Sequence, residues 1–441
     1  MNKRIGNLFK GDKVIWTVFF MLCMISIVEV FSASSHLTYG SENFISPLRK
    51  HVGMIVAGFL VAIVTLHVPC RFFKLLTPLA LAVSLATLVW VLFAGQINGA
   101  SRWISLFGIT LQPSEIAKGT MVLVTAQILS QMQQEDGAHP QALKYVMFVL
   151  VPMLALIAPE NLSTAALLAV TIFLMMVVGR VPARQLMFLA GIVAGAVVLF
   201  VGMVLMVGDD SADTRTVQQT EQVVDADGQT ATVQAEGSSR PAFLHRLDTW
   251  KGRIKKFGGP EVPPEKLDIT GKDMQTAHAN IAIVNGRFFG RGAGNSVERD
   301  FLPQAFSDFI FAIIVEEMGI EGAIVVVFLY VLLLFRTAHI ASRLENNFPP
   351  FLAMGLAIML VTQAMFNMMV AVGLAPVTGQ PLPLISKGGT STIINCFYIG
   401  IILSVSRSAK RREQPEPAVA AEVVSLRQEG GEKSEKSEKS E

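Results

Sequence analysis

Residues 309–335 read FIFAIIVEEMGIEGAIVVVFLYVLLLF, and this stretch decides what kind of chain this is. At about 1.5 Å of rise per residue, a helix of that length exceeds the ~30 Å hydrocarbon layer of a bilayer. No water is present there to satisfy an open backbone, so the run is expected to be a membrane-spanning helix. Two of its three glutamates, Glu316 and Glu317, lie two turns in. Ionisable groups inside a span point to function before packing.

Nine further runs resemble it. Their limits are 14–33, 51–69, 72–94, 114–132, 144–158, 163–179, 185–207, 350–374 and 390–406. The fifth and sixth spans, 144–158 and 163–179, are short and meet at Pro159-Glu160-Asn161, so they read as two full spans or as one pair bent at the membrane face. The fold class is therefore an all-α polytopic membrane protein with about ten transmembrane helices. Composition agrees: of 441 residues, 52% are hydrophobic and 16% charged, with a mean hydropathy of +0.51. The net charge of +2 is too small, and its charges too scattered, for a nucleic-acid partner. Cys23, Cys70 and Cys396 lie far apart without zinc spacing and read as small apolar fillers.

Fifteen Lys and Arg, from Lys3 to Arg412, fall in segments on the side of the N-terminus, against Arg49, Lys50, Arg102 and Lys387 on the other. The positive-inside rule then puts both termini in the cytoplasm. Residues 1–13 form a cytoplasmic N-terminus, 14–407 the transmembrane domain and 408–441 a disordered cytoplasmic tail. One large external loop covers 208–308. Within it, 208–239 is a polar insert unable to bury a core. From Arg240 to Phe257, apolar residues at three- and four-residue spacing oppose Arg246, Lys251, Arg253, Lys255 and Lys256, the pattern of an amphipathic helix on the outer leaflet or of a solvated connector.

Four external segments carry the polar chemistry. Asn98-Gly99-Ala100-Ser101-Arg102-Trp103-Ile104 leads to Gln112-Pro113-Ser114-Glu115-Ile116-Ala117-Lys118, where Pro113 suits a helix start and Glu115 falls in its first turn. Glu115 and Lys118 are three apart and can pair, as a functional group or as a structural ion pair. Gly286-Arg287-Phe288-Phe289-Gly290-Arg291-Gly292-Ala293-Gly294-Asn295-Ser296 has four glycines that let backbone amides approach an anion closely and two arginines able to grip phosphate oxygens, or is simply a turn. In Leu302-Pro303-Gln304-Ala305-Phe306-Ser307-Asp308, Asp308 is either a catalytic carboxylate or, with Ser307, a helix N-cap. Pro376 to Ser391 holds three prolines and three glycines and cannot be helical; such backbone is tolerated at membrane depth only inside protein or along a cavity.

In this order and with these gaps, the segments resemble the SEDS family of peptidoglycan polymerases, from the first span to about Arg407. Asn98-Gly99-Ala100, Gln112-Pro113-Ser114-Glu115, Gly290 to Ser296, Asp308-Phe309-Ile310-Phe311-Ala312 with Glu316-Glu317, and Pro376-Val377-Thr378-Gly379 with Ile385-Ser386 carry the resemblance. Asn295-Ser296 is similar to the cell-division branch more than to the elongation branch. The chain departs from the family pattern at Gln304, Phe306 and Ser307, where Glu, His and Thr are usual. It departs again at His278-Ala279 for Gln-Ser, at Glu160-Asn161-Leu162-Ser163 and at Lys387 for Tyr.

The resemblance implies a glycosyltransferase that polymerises lipid II into glycan strands at the outer face of the bacterial cytoplasmic membrane, at the division septum. It implies Asp308 as general base, in an inverting reaction. Arg102, Glu115, Lys118, Arg246, Arg253 and Ser386 are the expected substrate contacts, and a divalent cation, magnesium or manganese, a companion to the diphosphate. The partners implied are lipid II and the growing lipid-linked glycan, a class B penicillin-binding protein transpeptidase, and other division proteins. Small residues at Gly319, Gly322, Gly355 and Ala357 are the expected docking surface for the partner's helix, or internal packing. A lipid II flippase and a non-catalytic division scaffold are the rival readings.

Overall fold

A computed structural model describes residues 9–34, 46–93, 104–106, 109–207, 251–252, 274–302 and 305–413. Arg102, Arg246, Arg253, the 208–239 insert and the tail beyond 413 lie outside them, as does nearly all of the expected amphipathic helix.

All ten expected spans are helices: α1 (Lys13–Ser34), α2 (Ser46–His67), α3 (Cys70–Phe93), α4 (Pro113–Gln131), α5 (Ala142–Ile157), α6 (Leu162–Val178), α7 (Ala183–Val207), α9 (Ile310–Ala341), α10 (Phe348–Ala371) and α11 (Thr390–Glu413). Seven are long and apolar enough to cross a membrane, and α5 and α6 are shorter apolar helices. The bend at Pro159-Glu160-Asn161 separates two helices, because Asn161 Oδ1 accepts from Thr164 N at 3.1 Å and so caps α6. Two short antiparallel ribbons, Ile104–Leu106 with Ile109–Leu111 and Gln133–Gln134 with Gly137–Ala138, flank α4.

Helix α10 is the hub, packed against α4, α6, α9 and α11. Small residues permit this. A Cβ at Gly355 would sit 2.7 Å from Val122 Cγ1, and Ala357 is fully buried. The expected partner surface at these two positions is thus an internal seam, since residues that let a partner helix approach serve neighbouring helices of one chain equally well. Gly319 is likewise buried against Phe288.

Residues 274–302 of the 208–308 segment pack against the helices. Helix α8 (Met274–Gly286) descends alongside α9. Its Ala279 and Ala282 share a small core with Phe309, Ala312 and Ile313, and Gly286 abuts the backbone of Val315 and Glu316. The chain then returns through residues 287–302. Gly319 (φ 70°, ψ −170°) interrupts α9 there, roughly 15 Å below the helix start at 1.5 Å per residue.

At the opposite end of α9, Arg336 donates from Nε and Nη2 to Asp12 at 3.1 and 2.7 Å. Asp12 also caps α1 through Val14 N and takes up Ser406 Oγ of α11 through its own N–H. One residue, Asp12, therefore joins three helices, α1 and α9 through its carboxylate and α11 through its backbone N–H.

Candidate active site

The site forms where the turn before α9 meets the loop between α10 and α11. Phe309 occupies the N-cap position of α9, with no side-chain cap. Asp308 is therefore not the helix cap that the sequence left open. Its Oδ1 accepts from Ser307 Oγ at 2.9 Å. Its Oδ2 faces Gly379, where a Cβ would lie 3.4 Å away. Gly379 has φ +67°, a conformation that L side chains rarely adopt, so glycine both turns the loop and leaves room in front of the carboxylate.

The loop from Pro376 to Gly389 is irregular yet largely buried, and its carbonyls must find donors. They find them on surrounding helices. Asn367 Nδ2 donates to Gln380 O at 2.7 Å and to Asp308 O at 2.8 Å. Gln363 Nε2 donates to Pro381 O at 3.0 Å. Tyr330 OH donates to Pro383 O, and Ser26 Oγ to Ile385 O at 2.6 Å. Gln380 Nε2 reaches Thr164 Oγ1 at 2.8 Å. Four donors from α1, α9 and α10, plus an acceptor on α6, replace hydrogen bonds a helix would have supplied.

Glu115 and Lys118 pair at 2.8 Å, with side chains 3% and 1% exposed. Both side chains are therefore enclosed by protein. Lys118 Nζ donates to Gln363 Oε1 at 2.7 Å, so the pair acts on the loop through Gln363. Its supports run further, for Tyr398 OH donates to Glu115 O at 2.7 Å. Ser386 is also a clamp: it is buried, accepts from Leu382 N at 2.8 Å and donates to Ser307 O at 2.6 Å. The structure thus brings Asp308, Glu115, Lys118 and Ser386 into one hydrogen-bonded system, with Asp308 at its mouth.

Sequence reasoning missed Gln363 and Asn367. The signal was present: two amides four residues apart share one face of an otherwise apolar span, where polar groups are costly unless paired. Both amide orientations follow from the network, because a flipped Asn367 would set oxygen against two carbonyl oxygens.

The glycine-rich segment does hold anions, and they are the protein's own. Glu317 accepts from Gly294 N at 2.8 Å and Ser296 N at 3.3 Å, and also from Ser32 Oγ. Glu316 accepts from Val297 N at 3.2 Å and Glu298 N at 3.3 Å, and from Ser296 Oγ. The two intramembrane glutamates therefore anchor the segment that precedes Asp308. His278 and Glu298 pair at 2.6 Å in the same segment, with the imidazole stacked on Phe301.

Among the described residues no group of three or more His, Cys, Asp or Glu side chains is placed to hold a metal.

The family model FTSW_RODA_SPOVE, described as a cell cycle protein, matches residues 12–230 and 229–411. A probable peptidoglycan glycosyltransferase FtsW of Trichlorobacter lovleyi is 31% identical over 413 residues, covering 92% of this chain and 95% of that protein. One of Enterococcus hirae is 28% identical over 424 residues, covering 92% and 96%. Among solved structures, a chain of a peptidoglycan synthase complex superposes with a TM-score of 0.63 at 22% identity, covering 91% of this chain and 99% of that one. The rod shape determining protein RodA of Thermus thermophilus gives 0.58 at 22% identity, with the same coverage. At that identity the structures speak for the fold.

Proposed function

This chain belongs to the FtsW, RodA and SpoVE family of cell cycle proteins, and from that membership we propose that it is a peptidoglycan glycosyltransferase polymerising lipid II, with Asp308 as its base. The observation that carries the assignment of Asp308 is geometric. Its carboxylate does not cap α9, lies across from Gly379, and rests on a backbone fixed by Asn367.

A saccharide hydroxyl attacks the anomeric carbon of a second, lipid-linked saccharide. As the new C–O bond forms, Asp308 takes the hydroxyl proton, and the bond from the anomeric carbon to the diphosphate breaks with its electron pair leaving on oxygen. A single carboxylate acting without a covalent intermediate gives inversion. Arg102, Arg246 and Arg253 remain the proposed cations for the departing diphosphate. Magnesium or manganese belongs to the proposal as an ion that arrives with the substrate, since such ions are commonly completed by substrate phosphates.

The cell-division branch is favoured by Asn295-Ser296 and by relatives called FtsW. We place the protein at the septum with both termini in the cytoplasm, joined to a class B penicillin-binding protein and to other division proteins. A solved peptidoglycan synthase complex that coordinates polymerisation with crosslinking supports the transpeptidase partner. Cysteine labelling near Ser238 and Lys387 from outside, and near Arg180 and Glu435 from inside, tests the orientation.

Purified full-length protein, with and without the transpeptidase, is expected to convert lipid II into glycan strands resolved by gel electrophoresis. Asp308→Asn is expected to lower the rate by about two to four orders of magnitude while eluting as a folded membrane protein. Activity within a few-fold of the parent would remove Asp308 from the chemistry. Co-purification with no strand formation under either condition would leave the scaffold reading.

A further inference from the structure

Two positions that depart from the family pattern touch each other close to Asp308. Lys387 donates its backbone N–H to Phe306 O at 2.9 Å, and its ammonium lies 4.5 Å from the centroid of the Phe306 ring. An ammonium over an aromatic face is held in place without being neutralised. Phe306 is two residues from Asp308, and Ser386 is bonded to Ser307, so this ammonium belongs to the rim of the catalytic turn.

The start of α2 is held against the same loop. Ser26 Oγ joins Ile385 O to His51 Nε2, at 2.6 and 2.8 Å, which seats the start of α2 against residues 385–387. Lys50 precedes His51 there. Burial lowers the Lys387 pKa, and the nearby Lys50 charge lowers it further. Among the described residues neither lysine has a carboxylate partner. Adjacent like charges, one of them half-buried, cost free energy that an anion between them would return.

We propose that Lys387, seated on Phe306 and flanked by Lys50, forms a cationic subsite at the rim of the Asp308 site for the diphosphate of a polyprenyl-linked substrate. The proposal rests on the glycosyltransferase reading, which supplies a substrate with that group beside Asp308. It adds to the three arginines a cation attached to the catalytic turn itself. Two ammonium groups suit a diphosphate, whose charge is spread over several oxygens, better than a single carboxylate.

The test is binding to the full-length protein in phosphatidylcholine nanodiscs, with undecaprenyl diphosphate as the probe and uncharged undecaprenol as its control. Lys387→Gln and Lys387→Tyr are expected to weaken undecaprenyl diphosphate about tenfold and leave undecaprenol unchanged, as befits loss of one charge-assisted contact. Lys387→Arg is expected to stay within about threefold of the parent, and the parent's affinity to fall with salt more steeply than that of Lys387→Gln. Inorganic pyrophosphate should compete, whereas phosphatidylglycerol at equal charge should not. If Lys387→Gln misfolds, Lys387→Arg and Lys50→Gln carry the comparison, with Lys50→Gln expected to weaken binding.

Unchanged affinity in the folded charge-removing variants overturns the subsite. Equal displacement by phosphatidylglycerol overturns it too, by assigning the lysines to bulk lipid headgroups. Asp308→Asn separates this from the parent reading: a polymerising Asp308→Asn protein would sink the general base while the diphosphate result stood.

Discussion

The side-chain nitrogen of Asn367 lies 2.8 Å from the main-chain oxygen of Asp308 and 2.7 Å from that of Gln380. One amide on a rigid helix thus fixes the spacing between the proposed base and the loop that faces it. Positioning of this kind matters because a misplacement of about 1 Å can cost about a hundredfold in rate.

Asn367→Leu keeps the branching at Cγ and removes both hydrogen bonds. Each orphaned carbonyl is expected to cost about 1–3 kcal/mol, part of which the loop avoids by moving. Lipid II polymerisation should fall at least tenfold, while elution and helical content are retained. Parental activity would show that the loop holds its place without Asn367.

For the buried pair, Lys118→Met leaves Glu115 charged and alone, at about 3–5 kcal/mol. Glu115→Gln combined with Lys118→Met should restore most of the thermal stability. It should not restore polymerisation, because Gln363 still lacks the Lys118 donor that fixes it beside Pro381. Recovery of both together would reduce the pair to a stabilising element.

Gly319→Ala is expected to destabilise by more than about 1 kcal/mol. Its positive φ is unfavourable for alanine, and the new Cβ would collide with Phe288 O. Gly202→Ala in α7, with nothing within 4 Å of its Cβ, should be neutral or slightly stabilising. Melting temperatures of the two variants, measured side by side, check the contrast.

Burial raises the Asp12 pKa, but the Arg336 hydrogen bonds and charge and the N–H groups of Ile15 and Val14 outweigh it, so the net value is lowered. A carboxylate depressed on folding adds stability above its unfolded pKa of about 3.9, and that stability fades as pH falls through the folded value. The melting temperature of the parent should therefore exceed that of Asp12→Asn by a constant margin between pH 5 and pH 7. Below about pH 4 the margin should close. A margin independent of pH would mean that geometry, and not charge, holds Asp12 to Arg336.

The ten spans were legible because hydropathy over about 20 residues is a local property, read without knowing any neighbour. Pro113 and Glu115 at the start of α4 were legible for the same reason. Other features depended on contacts between distant residues. The amides of Gly294 and Ser296 looked free for an external anion, because nothing local says that Glu316 and Glu317 will lie beneath them. The seam at Gly355 is equally silent on which helix fills it. Lys118 and Ser386 carry the chemistry of substrate contacts, and nothing local says that they also hold Gln363 and Ser307.

That loop lies between the last two spans, and the groups that hold it are spread over the preceding three hundred and fifty or so residues. A nascent chain that has inserted everything through α10 already carries Asp308, Asn367 and the Glu115–Lys118 pair. It still lacks the covering strand of backbone that turns them into a site. Catalytic competence therefore comes late in synthesis, when α11 enters the bilayer and closes the loop against its anchors. A chain stopped at residue 375 would be inserted, helical and inert.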